Sequence, residues 1–292
     1  MTFVLEREFE REDGLRAHGS KYTKDDRVKR HIKSGGQIIL HRLSEDIMTS
    51  NVFGVLEKLE PIKWLKPLLS NYFPSPQLLR ILSDSNYDRD KIQFHFWHEL
   101  GRPKRPKGHE EGSTQVDLLV VMPQTVVSFE IKLSAELFPE ISTDKEDPMK
   151  KRTRVPDPTL RWDQVIRNLE RGYVYTKNNY PDKTFLLFIL AMEEESKRTP
   201  FYSRYKNHPE EIQRQIESGY RWNVADIKYF NDAMYQILSQ SLAWMTWTEL
   251  AEILEEIKFQ TTDENSFKDE VTDYIRRKVA LYQEVKNKGT SK

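Results

Sequence analysis

The stretch from Asp117 to Lys132, D-L-L-V-V-M-P-Q-T-V-V-S-F-E-I-K, constrains the fold of this chain more than any other segment. It holds two short, β-branched apolar runs, Val116 to Met122 and Thr125 to Leu133, separated by Pro123-Gln124. Their length and composition predict two buried strands joined by a turn. Side chains alternate along a strand, so Val127, Phe129, Ile131 and Leu133 share one face. Ser128, Glu130 and Lys132 share the other, and the hairpin can bring Asp117 alongside them. A buried carboxylate is costly unless it is paired or holds a metal. Two carboxylates and a lysine on facing strands point to a divalent cation such as Mg²⁺, which takes one or two carboxylates, waters and substrate phosphate. A lysine there can orient or deprotonate the attacking water, or hold negative charge growing on a phosphate. A Glu–Lys pair on a solvated sheet face, with an Asp opening a strand, accounts for the same letters. The apolar flanks on both sides favour the site.

The 292 residues are 32% charged and 37% hydrophobic, with 6 Trp, 13 Tyr and 14 Phe, which is ample material for a core in one large domain. Net charge is 0 and the pI about 7.1, so any attraction to nucleic acid has to come from local clusters. With 0 cysteines, a disulfide framework and a Cys-based zinc site are both excluded. The first residues lack a signal-peptide pattern, and the longest apolar run, Phe185 to Met192, is far too short for a bilayer. These features lead to the expectation of a cytoplasmic protein that does not engage a membrane. No Walker A, G-x-G-x-x-G or G-x-S-x-G motif occurs, which argues against nucleotide-driven and serine-hydrolase chemistry. His95, His98 and His109 lie near the hairpin in sequence but have no metal-ligand spacing.

Residues 1–36 form a charged arm rich in Lys and Arg, read as a solvated segment that could also hold DNA phosphates. Apolar residues recur at helical spacing from Ile38 to Glu60, stopped by Pro61, and a proline-broken helical stretch runs from Leu65 to Leu82. Gln93 to Glu99 reads as a first strand. The Gly- and Pro-rich loop after it carries Arg102, Lys104, Arg105 and Lys107, which suit either phosphate steering or a solubilising loop. A second basic run contains Lys151, Arg152 and Arg154 and leads into a helix from Leu160 to about Tyr175. Trp162, Val165, Ile166, Leu169 and Tyr173 form its apolar face. Arg161, Gln164, Asn168 and Arg171 form a separate stripe, and for Asn168 and Arg171 the solvent-facing reading is preferred. Thr184 to Ala191 reads as a strand covered on both faces, which implies a crossover and a parallel or mixed sheet. Helical patterns follow at Ile212 to Tyr220, Phe230 to Trp247, Glu249 to Ile257 and Phe267 to Val285.

Asp117 followed by Glu130-Ile131-Lys132 resembles the signature of the PD-(D/E)XK, or restriction-endonuclease-like, nuclease superfamily. His41 to Leu56, with its Glu45-Asp46 pair, Thr49 and Asn51-Val-Phe53, is similar to the first core helix of a bacterial branch of that superfamily. Trp244 to Leu250 is similar to a C-terminal segment of the same branch. Gln115-Val116 departs from the Glu-Pro often found before the Asp. The resemblance implies an α/β core of helix, three-stranded meander, helix and strand over 37–192, with residues 193–292 as a mainly helical extension packed on it. It implies Mg²⁺ (or Mn²⁺) held by Asp117, Glu130, the Ile131 carbonyl and an acid from the first helix, Glu45 or Asp46, with Glu45 favoured. Lys132 is the expected catalytic ammonium and Gln164 an auxiliary group. The expected activity is phosphodiester hydrolysis of nucleic acid, most readily DNA, in restriction, phage defence or repair. A homodimer would suit cutting of both strands. The alternatives are a non-cutting nuclease fold used as a DNA-binding or protein-interaction module, and a structural partner within a larger complex.

Overall fold

The central hairpin forms as the alternation predicts, with β2 (Thr114–Val121) and β3 (Thr125–Lys132) antiparallel and closed by a Met122 N–H to Thr125 carbonyl bond of 2.8 Å. The computed structural model describes residues 45–73, 91–101, 113–132, 164–192, 205–220 and 229–289. Arg102, Lys104, Arg105, Lys107, Lys151, Arg152 and Arg154 lie outside these residues, as do the arm over 1–36, His109 and Leu133.

The fold is mixed α/β. β1 (Gln93–Gly101) adds to β2 as a third antiparallel strand. Helix α3 (Gln164–Asn179) lies between β3 and β4 (Thr184–Ala191), which pairs parallel to β3. A fifth strand, β5 (Leu242–Thr246), runs parallel to β4 and completes a sheet of order β1-β2-β3-β4-β5. Every residue of β3 is buried, because helices cover both sheet faces. On one face Val127, Phe129 and Ile131 meet α1 (Glu45–Leu56), α2 (Pro61–Tyr72), α6 (Trp247–Glu256) and α7 (Thr262–Gly289). On the other, the β4 side chains Phe185, Leu187 and Ile189 meet α3, α4 (Pro209–Tyr220) and α5 (Asp232–Gln240). Ser128, Glu130 and Lys132 occupy that second face of β3.

Two elements differ from expectation. The Phe230 to Trp247 stretch is not one helix: α5 ends at Gln240, and the five buried residues of β5 extend the sheet. A run of four apolar residues, Leu242–Met245, satisfies a buried helix and a buried strand equally, and pairing with β4 decides for the strand. The second helix starts at Pro61, where a missing N–H costs nothing, and continues through Pro67. The forfeited bond of Pro67 is to the first-turn carbonyl of Lys63, and buried Trp64, Leu65, Leu68 and Leu69 hold the helix on either side.

Aromatic packing anchors α1 on the sheet. Phe53 packs at 5.2 Å from Phe129, which stacks on Phe188 at 5.2 Å and 7°. Asn51 donates to Tyr274 Oη at 3.0 Å, tying α1 to α7. With α1 anchored there, Glu45 lies beside Lys132 at the end of β3.

Candidate active site

β2 and β3 part at one end of the hairpin, and the sequence-predicted residues gather there. The β2–β3 ladder ends at Leu118–Phe129, so Ile131 has no β2 backbone partner in the register. Its N–H donates instead to Asp117 Oδ2 at 2.7 Å. Bonded rungs of an antiparallel pair fall on every second residue, and both polar groups of a residue face the same neighbour. Counting from the Thr125 rung, Val127, Phe129 and Ile131 face β2. The Ile131 carbonyl therefore points into the same cleft as the Asp117 carboxylate.

On the α3 face, Lys132 Nζ lies 2.6 Å from Glu130 Oε1 and 3.6 Å from Glu45 Oε2. Glu130 is 2% exposed and Lys132 8%. Glu45 thus reaches the cluster from α1, which packs on the other face of the sheet. Asp46 is part of α1, and its side chain lies outside the description. Helix α3 supplies two amides: Gln164 Nε2 donates to Glu130 Oε1, and Asn168 Nδ2 donates to Oε2 at 2.8 Å. Glu130 therefore receives three donors among the described residues. An ionised carboxylate offers about four acceptor sites, so it keeps capacity for one further partner.

The preferred reading of Asn168 and Arg171 as solvent-facing is corrected. Asn168 is wholly buried against Glu130, and Arg171 is buried with Nη2 at 3.4 Å from the Leu100 carbonyl. Helix α3 is covered on nearly every side, so its polar stripe faces the sheet. The signal for this was Gly172 beside the stripe: a Cβ there would stand 2.2 Å from the Phe185 ring, so helix and sheet approach too closely for a side chain. Further along the stripe, Tyr175 Oη and His98 Nε2 share a hydrogen bond of 2.8 Å. His98 also stacks edge-on with Tyr175, a structural role consistent with the lack of metal spacing.

Electrostatics gives the cluster its character. Burial raises the Asp117 carboxyl well above its ordinary range and the Glu130 charge pushes the same way; Lys132 and the Ile131 N–H oppose this, while Glu45 adds to the rise. Burial alone would lower the Lys132 ammonium, but Glu130, Asp117 and Glu45 outweigh it and hold its pKa above the ordinary lysine value. Lys132 is therefore a persistent cation, suited to donating hydrogen bonds. Asp117 is an anion short of positive charge, which a proton or a metal cation can supply. Among the described residues no three His, Cys, Asp or Glu side chains are gathered closely enough to hold a metal by themselves. Two carboxylates and a backbone carbonyl nevertheless fit a Mg²⁺ shell completed by water, because that ion keeps several waters.

No protein-family model matches the chain, and no curated protein or solved structure matches it. No described helix is long and apolar enough to cross a membrane.

Proposed function

We propose that this chain is a metal-dependent nuclease with a restriction-endonuclease-like core, hydrolysing phosphodiester bonds of nucleic acid, DNA first among them. One observation carries the reading: Asp117, Glu130 and Lys132 converge where β2 leaves β3, with the Ile131 carbonyl facing the same cleft. The helix–meander–helix–strand order around them supports it. Asp117, Glu130 and the Ile131 carbonyl would hold Mg²⁺ (or Mn²⁺), with Glu45 at the rim. When bound, the cation supplies Lewis-acid polarisation of the phosphoryl group and makes water a stronger nucleophile at neutral pH.

The chain's own groups do the rest. Lys132 orients water and stabilises charge on the phosphate oxygens. Gln164 and Asn168 hold the Glu130 carboxylate in one orientation. The basic segments Arg102–Lys107 and Lys150–Arg154 are proposed to track the phosphate backbone, giving binding that weakens steeply with salt.

The test incubates supercoiled plasmid, single-stranded DNA and RNA with Mg²⁺, Mn²⁺ or chelator, comparing the wild type with Asp117→Asn. Metal-dependent cutting by the wild type, lost in a folded Asp117→Asn variant, is the expected result. Binding without any cutting would make the chain a nucleic-acid-binding module instead. Equal cutting by both proteins would remove Asp117 from the site.

A further inference from the structure

Each oxygen of an ionised carboxylate offers about two acceptor sites, so the partners of Glu130 can be counted oxygen by oxygen. Oε1 accepts from Lys132 Nζ at 2.6 Å and from Gln164 Nε2, which fills it. Oε2 accepts from Asn168 Nδ2 at 2.8 Å and keeps one site. The capacity that Glu130 retains among the described residues is therefore on Oε2 alone.

Lys132 stands on the filled side. Its Nζ lies 2.6 Å from Glu130 Oε1 and 3.6 Å from Glu45 Oε2, so the ammonium links an acid of β3 to an acid of α1. A second divalent cation would need that same place. In two-metal hydrolytic sites the ions stand about 3.5–4 Å apart, a spacing that a carboxylate spans by giving one oxygen to each. Glu130 could do so only if both donors left Oε1, and Glu45 is already paired with the lysine. Charge agrees with this count. When ionised, Asp117, Glu130 and Glu45 carry three negative charges and Lys132 offsets one, leaving a deficit that a single divalent cation closes.

We propose that the cluster takes one divalent cation, through Asp117 and Glu130 Oε2, and that the Lys132 ammonium fills the position of a second between Glu130 Oε1 and Glu45. The proposal rests on the reading of the cluster as a cation site. It makes Glu45 a partner of the lysine instead of a metal ligand.

The test counts Mn²⁺ ions bound to the full chain, by calorimetry with MnCl₂ alone and by electron paramagnetic resonance. Two Mn²⁺ ions at such a spacing couple and lose the hyperfine pattern of an isolated ion. The wild type should bind one Mn²⁺ per chain, with the isolated-ion spectrum. Lys132→Ala clears the second position and should bind two coupled ions. Lys132→Gln should do the same while leaving Glu130 a donor, which guards against an alanine variant that fails to fold by circular dichroism. Adding Glu45→Gln to either variant should return the count to one. Wild-type protein that binds no Mn²⁺ overturns the cation reading and this proposal with it. Two ions in the wild type overturn the proposal alone, and this count stands even where no Lys132 variant folds. A single ion in the folded Lys132 variants, or a second ion that survives Glu45→Gln, also overturns it.

Discussion

Replacing Lys132 by Met tests the electrostatic core of the site without any substrate. The ammonium sits 2.6 Å from Glu130 and 3.6 Å from Glu45, in a place where Lys132 is 8% and Glu130 2% exposed. At an effective dielectric of about 20, those distances correspond to attractions of about 6 and about 5 kcal/mol. Removing the lysine also removes its own desolvation cost, several kcal/mol, so the net loss is smaller. Breaking a buried pair by deleting one partner typically costs about 3–5 kcal/mol, because the remaining charge stays buried and unbalanced. We expect that loss in urea unfolding at neutral pH with chelator present, followed by tryptophan fluorescence. Adding Glu130→Gln should recover a good part of it, because the variant then buries no carboxylate at that position. A Lys132→Met protein as stable as wild type would refute the reasoning. So would a double variant whose two losses simply add.

Other consequences are as direct. Asn168→Ala removes a donor to a buried carboxylate and should cost about 1.5–3 kcal/mol in the same unfolding assay; a loss below about 0.5 kcal/mol would detach Asn168 from Glu130. Gly172→Ala would place a Cβ 2.2 Å from the Phe185 ring, and overpacking of this kind costs about 1–3 kcal/mol; an unchanged melting temperature would contradict the close approach of α3 to β4. Burial, reinforced by the His95 charge and opposed by Glu99, lowers the His98 pKa below its ordinary 6.5. The folded state then favours neutral His98, so its contribution is present above pH 6.5 and lost as pH falls through the lowered pKa. His98→Gln should therefore lose less stability than wild type between pH 7 and about pH 5, and parallel stability curves for the two proteins would count against it.

Much of this arrangement was legible because period-two alternation is read against a buried sheet. Once Val127, Phe129 and Ile131 turn toward one layer, Glu130 and Lys132 have to share the other. Asn168 escaped because the sidedness of a helix that is covered nearly all round depends on its tertiary partner. The partner is Glu130, 38 positions away, and helical periodicity carries no mark of it. β5 escaped because Leu242–Met245 is uniformly apolar, and its neighbour β4 lies more than 50 positions earlier, with α4 and α5 between them. The positive φ of Trp97, +48°, left no trace either, because neither glycine nor asparagine marks the position.

The hydrogen bond from Asn51 to Tyr274 spans 223 positions and bears on when the protein becomes competent during synthesis. A nascent chain that has emerged only as far as α3 already carries Asp117, Glu130, Lys132 and Gln164. Helix α1, which packs on the sheet through Phe53, still lacks the Asn51–Tyr274 bond that ties it to α7. The support of α1 on its far side is complete only after Tyr274 clears the ribosome. For a chain proposed to cut nucleic acid, the last tie on the helix that carries Glu45 thus forms late in synthesis, after the other site residues have emerged.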